Sequence, residues 1–312
     1  MNGSNSWSQD VGNFENVTAS DIVRYANDFA NTLLKGCKEI EYYHIYGVVL
    51  SGCAQKQLIV SEVPCGNLVF YYLNPTDFDY NNLEPLKTKH NEILKGIKVY
   101  IKGAYIDVGT EIVSHSESVL KIKWKGFEFH ITVTWTFSER QYCKFHRTKN
   151  TPVCLFSPET LKDIANDLAK EVPRYRRYIK NVGRQWKRFL EKNMDASLSL
   201  LRVYYINERL VGTDTRLAVL YLKKWQRVAM EGEENLSNNS LEIICTYLSH
   251  KSGARSHREI VIQFFTLMKQ IKETNEPVII QFPYLVHNEL QHLTKPKCRA
   301  GDVIILDYLY MR

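Results

Sequence analysis

Hydrophobic positions in the first half of the chain follow two different periods. Between residues 18 and 34, apolar side chains recur at helical spacing, which predicts one amphipathic helix. Short runs rich in β-branched and aromatic residues come next and are typical of strands. These predicted strands are residues 44–50, 68–73, 97–101, 105–108, 119–124 and 127–136. Lys125-Gly126 joins the last two and predicts a tight hairpin turn.

Helical periodicity dominates after Pro152. Ser157, Pro158 and Glu159 supply a cap, a first-turn proline and a nearby acid, which together predict a helix start. Further helices are predicted at residues 174–192, 216–230, 240–249 and 256–272, and two short apolar runs close the chain at 277–281 and 303–306. We therefore expect an α+β fold in which a mixed-sheet domain precedes a helical-bundle domain. The predicted division is a disordered leader at 1–15, an α/β lobe at 16–155 and a helical lobe at 156–312.

Composition limits the class of protein. The chain has 312 residues, of which 44% are hydrophobic and 12% aromatic, as in an ordinary folded protein. Its seven cysteines are odd in number and dispersed, which predicts free thiols in a reducing compartment, the cytoplasm or the nucleus. No run approaches the ~18 consecutive apolar residues of a membrane helix. The polar N-terminus lacks the pattern of a signal peptide, so we expect no association with a membrane.

Positive charge is concentrated between Lys170 and Lys192. This segment holds nine basic and two acidic residues, an excess equal to the net charge of +7 of the whole chain. Tyr175, Tyr178 and Trp186 are interleaved with the basic residues. Such a local excess suits a nucleic-acid backbone. A solvated helix face and a docking site for an acidic protein are the alternatives.

Three segments of the first half carry a resemblance to a known family. Residues 47–53 run from an apolar stretch into Ser51-Gly52, and residues 64–73 place Cys65 and Asn67 ahead of a second apolar stretch. Residues 127–131 form a third segment that contains His130. These segments resemble, in order, the phosphate-gripping loop, the Asp-x-Asp strand and the Glu-Phe-Asp-Val strand of polymerase-β-type nucleotidyltransferases, in the branch of the oligoadenylate and cyclic GMP-AMP synthetases.

Segments of the second half are similar to the same branch. They are Thr215-Arg216-Leu217 with residues 222–225, residues 241–247, residues 256–268, and either residues 277–280 or residues 293–296 with 303–306. The resemblance thus covers roughly residues 18 to 310 in the right order. The chain departs from the family because residues 47–53, where the loop belongs, lack a Gly-Ser pair, and because it has no Asp-Pro-Ala-Asp ending.

The resemblance implies a cleft that has lost its chemistry. In the family, three carboxylates hold two Mg²⁺ ions that activate the attacking hydroxyl and neutralise the leaving group. Here Cys65 and Asn67 occupy the Asp-x-Asp positions, His130 occupies the third, and Ser51 and Gly52 stand in the loop. We therefore expect a pseudoenzyme with no catalytic residue, no cofactor and no metal. Cys65 and His130 could share a soft metal, but two ligands are too few.

An alternative keeps the chain an enzyme with a non-standard site. Asp77 and Asp79 form an Asp-x-Asp pair just downstream of the expected position. They follow Asn74-Pro75-Thr76 in a polar turn, after the strand rather than on it. This position favours a turn over a metal site.

RNA is the partner that the resemblance implies. The family binds double-stranded RNA on the face opposite the cleft, and such contacts are largely independent of sequence. The predicted RNA-binding residues are Arg174, Arg176, Arg177, Lys180, Arg184, Lys187, Arg188, Arg209 and Arg216. Lys56 and Lys223 are candidate phosphate contacts, with ordinary surface lysines as the alternative. The expected function is an inactive component of an RNA-processing or innate-immune assembly that binds double-stranded or structured RNA.

A protein partner is the other candidate. Inactive nucleotidyltransferase folds can act as adaptors or as halves of a heterodimer without binding RNA. Exposed aromatic residues would anchor such a partner. The sequence offers Tyr204, Tyr205, Tyr308 and Tyr310, with ordinary core residues as the alternative.

Overall fold

A computed structural model describes two compact units of the chain. The described residues are 18–39, 45–60, 65–73, 79, 81–103, 110–116, 118–136, 158–204, 206, 212–230, 236–254, 256–274, 278–281 and 303–306. Those within Glu15–Tyr204 form the first unit, and those within Tyr205–Arg312 belong to the second. The leader predicted at 1–15 lies outside the described residues. The lobes predicted at 16–155 and 156–312 stay a prediction.

A five-stranded mixed sheet forms the centre of the first unit. Its strands are β1 (Ile45–Ser51), β2 (Cys65–Leu73), β3 (Glu111–His115), β4 (Leu120–Trp124) and β5 (Phe127–Thr136). Their order across the sheet is β1-β2-β5-β4-β3. β2 and β5 run parallel, whereas the other neighbouring pairs run antiparallel. The α+β class and the mixed sheet predicted from the sequence are confirmed.

Six helices of the described chain accompany this sheet. They are α1 (Thr18–Glu39), α2 (Gly52–Gln55), α3 (Glu84–Lys102), α4 (Pro158–Asn181), α5 (Arg184–Ser197) and α6 (Ser199–Tyr204). One face of the sheet packs on α1, where the Phe29 ring stacks on Phe129 with 5.3 Å between centroids and lies 5.2 Å from Trp124. Ile131 and Val133 continue this buried stripe along β5. The alternation in the sequence of β5 is thereby explained.

Hydrogen bonds tie α5 to the opposite face of the sheet at one end of the strands. The Tyr71 hydroxyl donates to the carbonyl of Ser197 at 2.9 Å, and the Thr134 hydroxyl donates to the carbonyl of Asn193 at 3.0 Å. Tyr71 and Thr134 are register partners on β2 and β5, so both strands are tied to α5 at the same level. At the other end of this face, Cys65, Asn67, Glu128 and His130 are half-buried. This end of the sheet carries the site described below.

The second unit is built from three helices and a small sheet. These elements are α7 (Thr213–Ala229), α8 (Asn238–Ser252), α9 (His257–Thr274), β6 (Val278–Gln281) and β7 (Val303–Leu306). Ser237 caps α8 by accepting from the Ser240 amide, and Gly253 ends the helix at φ 62°, in the left-handed region. β6 and β7 pair in parallel. None of the helices that the structure describes combines the length and the apolar character needed to span a bilayer.

The strand predicted at residues 97–101 is wrong. These residues lie in α3, which begins with Glu84-Pro85 and ends at Lys102. Its buried side chains recur at helical spacing and are Leu86, His90, Ile93, Leu94, Ile97 and Ile101. The apolar run at 97–101 is therefore the last turn of a helix, and it resembles a strand only when the preceding turns are left out. The strand predicted at 105–108 lies outside the described residues.

The single helix predicted at residues 174–192 is also wrong. α4 ends at Asn181 and α5 begins at Arg184, with Val182 and Gly183 between them. Val182 is buried, so the chain turns into the protein at this point. The basic segment therefore spans the end of one helix and the start of the next.

A buried ion pair inside the second unit yields a stability prediction. The Lys223 ammonium donates to the Glu242 carboxylate at 3.0 Å, and the two side chains are 6% and 1% exposed. Lys223→Met should lower the free energy of unfolding by about 3–5 kcal/mol, because the Glu242 carboxyl group would be left in the core without this ammonium. Urea-induced unfolding followed by circular dichroism measures the change.

Two further variants make this test specific. Lys223→Met combined with Glu242→Leu should recover much of the loss, since no buried charge would then remain from the pair. Lys272→Met, at an exposed position of α9, should change stability by less than about 0.5 kcal/mol. A Lys223→Met protein as stable as the Lys272→Met control would contradict the prediction.

Candidate functional site

Polar side chains of three neighbouring strands meet at the open end of the sheet. Ser51 pairs with Asn67 across β1 and β2, and Asn67 pairs with His130 across β2 and β5. Two residues earlier on each parallel strand, Cys65 pairs with Glu128. Register partners, and residues two apart on one strand, share a face of the sheet. The structure therefore brings Ser51, Cys65, Asn67 and His130 together, and adds Glu128 to them.

The turn between β1 and α2 lies directly against Asn67. Ser51 is buried and extended, and Gly52 follows at φ 74°, in the left-handed region. A Cβ added to Gly52 would lie 2.6 Å from Asn67 Nδ2. Glycine is required here both for the backbone angle and for the close approach. The turn and the amide of Asn67 form one packed unit beside the cleft.

Three chemically different side chains converge on one point of the cleft. Cys65 Sγ lies 3.5 Å from His130 Nε2, and Glu128 Oε1 contacts the same nitrogen. The sulfur, the nitrogen and the carboxylate oxygen all lie within 4.8 Å of one another. Sequence reasoning missed Glu128 as a site residue. The two-residue spacing between Glu128 and His130 on a predicted strand was the signal that could have found it.

The Cys65 thiol is not set up as a nucleophile. Burial raises its pKa to about 12, the charges of Glu128 and Cys53 add to this rise, and Lys121 opposes it. A thiol with so high a pKa stays protonated at neutral pH and reacts poorly. Thiol and carboxylate also contact the same imidazole nitrogen, whereas a nucleophile–base–acid relay uses the two nitrogens separately. The cluster is therefore not a cysteine-based triad.

The side chains of this cleft do not fit the pair of Mg²⁺ ions implied by the family resemblance. Mg²⁺ prefers anionic oxygen ligands in octahedral geometry. Cys65 offers a thiol, His130 an imidazole and Asn67 a neutral amide, which leaves Glu128 as the one carboxylate among them. We derive no chemical step through Mg²⁺ at this site.

The alternative Asp-x-Asp pair is described only in part. Asp79 is exposed, and its carboxylate accepts from the Asn81 amide at 2.8 Å, as in a polar turn. It follows the end of β2 opposite to Cys65. Asp77 lies outside the described residues.

Most of the predicted RNA-binding residues are exposed on α4 and α5. Lys180, Arg174 and Arg177 are exposed on α4, and Arg184, Lys187 and Arg188 are exposed in the first two turns of α5. The structure places the remaining three predicted residues differently. Arg176 is half-buried, and burial lowers its pKa. Arg216 is half-buried on α7, and Arg209 lies outside the described residues.

The two candidate phosphate contacts are both buried. Lys56 follows α2, where its amide donates to the Gly52 carbonyl at 3.2 Å, and its side chain is buried. Lys223 is paired with Glu242 inside the second unit. Burial argues against either ammonium reaching a nucleotide phosphate. Among the candidate aromatic anchors, Tyr204 is buried, and Tyr205, Tyr308 and Tyr310 lie outside the described residues.

No family model matches the sequence. No curated protein matches it either. Among solved structures, the chain is similar to CdnC of Escherichia coli in its complex with HORMA-deltaN, with 12% identity, a TM-score of 0.49, and coverage of 89% of this chain and 73% of that one. It is also similar to terminal uridylyl transferase 4 of Trypanosoma brucei with bound CTP, with 12% identity, a TM-score of 0.47, and coverage of 92% and 84%. With TM-scores below 0.5, these similarities establish neither a family nor an activity.

Proposed function

We propose that the protein is a catalytically inactive nucleotidyltransferase-like protein that binds double-stranded RNA through α4 and α5. The observation that carries this proposal is the convergence of Ser51, Asn67, Cys65 and His130 at one end of the sheet. These are the positions at which the sequence resembles the loop and the three metal-binding acids of that superfamily. The proposal thus combines a family-like arrangement with side chains unsuited to the family's chemistry.

Inactivity follows from the ligands that two-metal catalysis needs. Two Mg²⁺ ions beside a triphosphate require several hard anionic oxygens to hold them. At the three matched positions this chain has a thiol, an amide and an imidazole. The one carboxylate in the cluster, Glu128, is in contact with His130. The described side chains of the cleft therefore lack the charge that would hold two such ions.

Exposed cations on α4 and α5 support the RNA part of the proposal. We define the basic surface as Lys170, Arg174, Arg177, Lys180, Arg184, Lys187 and Arg188, all of which are exposed. On α4, Lys170, Arg174 and Arg177 follow helical spacing, opposite the buried Val172 and Tyr175. Long cationic side chains in such a line can contact phosphates without reading bases.

The basic surface faces away from the sheet. Tyr175 on α4 and Asn193 on α5 point inward, because the Tyr175 hydroxyl donates to the carbonyl of Trp135 at 2.8 Å and the Asn193 carbonyl accepts from Thr134. Arg174 and Arg188 lie on the outward sides of the same helices. The proposed RNA contacts and the cleft residues are different sets of side chains. Binding of RNA and occupancy of the cleft can therefore be measured separately.

RNA binding is tested by charge reversal. We expect the full chain to bind a labelled RNA duplex of about 20 bp, with an affinity that falls steeply as salt is raised from about 50 to 200 mM. Arg184→Glu, Lys187→Glu and Arg188→Glu together should reduce the salt slope by about 3, because each lost phosphate contact removes about one unit. Fluorescence anisotropy at several salt concentrations measures both quantities.

The matched control carries the same change in charge elsewhere. Lys95→Glu, Lys102→Glu and Lys272→Glu alter three exposed lysines outside the basic surface. This control should keep the salt slope of the unmodified protein. The RNA proposal fails if the duplex does not bind at about 50 mM salt, or if both triple variants lose the same slope.

Catalytic inactivity is tested with nucleotides. The protein incubated with each NTP, Mg²⁺ or Mn²⁺, and double-stranded RNA should form no oligonucleotide above the level of a buffer control, because the cleft lacks the carboxylates of a two-metal site. Chromatography of the products with mass detection measures this. An oligonucleotide product that disappears on His130→Ala would show that the cleft is active and would overturn the pseudoenzyme proposal.

A protein adaptor is the second candidate function, and exposed apolar side chains of the second unit favour it. On α9, Ile262 is 54% exposed and Phe265 is 37% exposed, and the Phe265 ring contacts Trp225 of α7 at 4.9 Å between centroids. Val228 on α7 is also exposed. Apolar groups of this kind are typical of protein contacts. An adaptor that uses them would be insensitive to charge reversal on α5.

A further inference from the structure

The cluster of Cys65, Glu128 and His130 has a geometry that the proposed function does not use. Its ligands come from two adjacent parallel strands, one from β2 and two from β5. All three side chains are half-buried, so the cluster is neither sealed in the core nor spread over the surface. A thiol, a carboxylate and an imidazole are all common ligands of metal ions in proteins.

The distance between Cys65 and His130 matches that expected in a tetrahedral metal site. With metal–sulfur and metal–nitrogen bonds of about 2.3 and about 2.0 Å and a tetrahedral angle, the two ligand atoms stand roughly 3.5 Å apart. Cys65 Sγ and His130 Nε2 are 3.5 Å apart. Glu128 Oε1 contacts the same nitrogen, and all three atoms lie within 4.8 Å of one another. One ion placed among them could reach each ligand after a small outward rotation of the carboxylate.

We propose that Cys65, Glu128 and His130 bind one divalent ion of the zinc class. The chemistry of the ligands selects this class, since thiolate and imidazole suit Zn²⁺ and are poor ligands for Mg²⁺. Three protein ligands leave one position of a tetrahedral ion open to water or to a ligand in the cleft. Asn67 lies two residues from Cys65 on the same face of the sheet.

Such an ion would hold β2 and β5 together at the end of the strands that carries Cys65. At the other end of the same face, α5 already holds β2 and β5 through Tyr71 and Thr134. The three carboxylates of the Mg²⁺ site that the resemblance implies would thus be replaced by a softer set of ligands at the same end of the sheet. This inference stands on the cluster alone and does not depend on RNA binding or on inactivity.

Cobalt substitution tests the site directly on the full chain. Protein stripped with a chelator and titrated with Co²⁺ should bind one equivalent and show the intense absorption of thiolate–cobalt charge transfer, and Zn²⁺ should displace the cobalt. Cys65→Ser should abolish the charge-transfer absorption. His130→Ala and Glu128→Gln should each raise the Kd for Zn²⁺ by more than the 10–100-fold that loss of an outer-shell partner typically causes.

Cys53→Ser is the matched control, because Cys53 is a half-buried thiol close enough to influence Cys65 and lies outside the ligand set. It should keep both the stoichiometry and the absorption. Far-UV circular dichroism of each variant verifies folding. Three results would overturn the proposal: no thiolate–cobalt absorption in the unmodified protein, unchanged absorption in folded Cys65→Ser, or equal loss in Cys53→Ser.

Discussion

The parallel pairing of β2 with β5 is the constraint on which the rest of the first unit depends. Its register sets Asn67 beside His130 and Cys65 beside Glu128. A slip of β5 by one residue would turn its polar set, Glu128 and His130, toward the opposite face. That face carries Phe129, which stacks on Phe29 of α1, so a slipped register would bury charge against aromatic rings. Packing of the core and assembly of the cleft therefore enforce the same alignment.

Hydrogen bonds then join one end of the sheet to the helices that pack on it. Tyr71, Thr134 and Tyr175 tie the strands to α4 and α5 at the end away from Cys65. Because the inward sides of α4 and α5 pack against the sheet, the charged residues of these helices lie on the outward sides. The same docking thus creates an open polar cleft and an outward basic surface. The proposed binding role and the proposed loss of catalysis are therefore compatible with one architecture.

Local patterns in the sequence predicted part of this fold. The hairpin at Lys125-Gly126 was predictable because a two-residue turn of the favoured type requires positive φ, which glycine adopts readily. Both residues do take positive φ, 49° and 84°. The long alternation of apolar and polar residues predicted β5. α3 was missed because residues 97–101 look like a strand when the preceding turns are not read with them. The break at Gly183 was missed because the basic residues on both sides keep helical spacing.

Features that depend on distant partners were not predictable. Lys223 looks like a surface lysine until Glu242, on another helix, pairs with it in the core. Glu128 enters the cleft only because β5 pairs in parallel with β2, a choice that no local pattern encodes. The convergence of Cys65 and His130 was implied by a resemblance rather than derived. The structure adds the distance between the Cys65 and His130 side chains and their contact with Glu128.

The central claim is that Cys65, Asn67 and His130 form one site from which metal-binding carboxylates are missing. Binding of Mn²⁺ to a variant with carboxylates at these three positions tests it most directly. Cys65→Asp, Asn67→Asp and His130→Asp would place three carboxylates on one face of neighbouring strands. Electron paramagnetic resonance of free Mn²⁺ measures binding. The account predicts at least about tenfold tighter binding by the folded variant than by the chelator-stripped natural sequence, since Mn²⁺ prefers carboxylate oxygen and binds most weakly of the divalent series to softer ligands. Equal binding by the two folded proteins would contradict it.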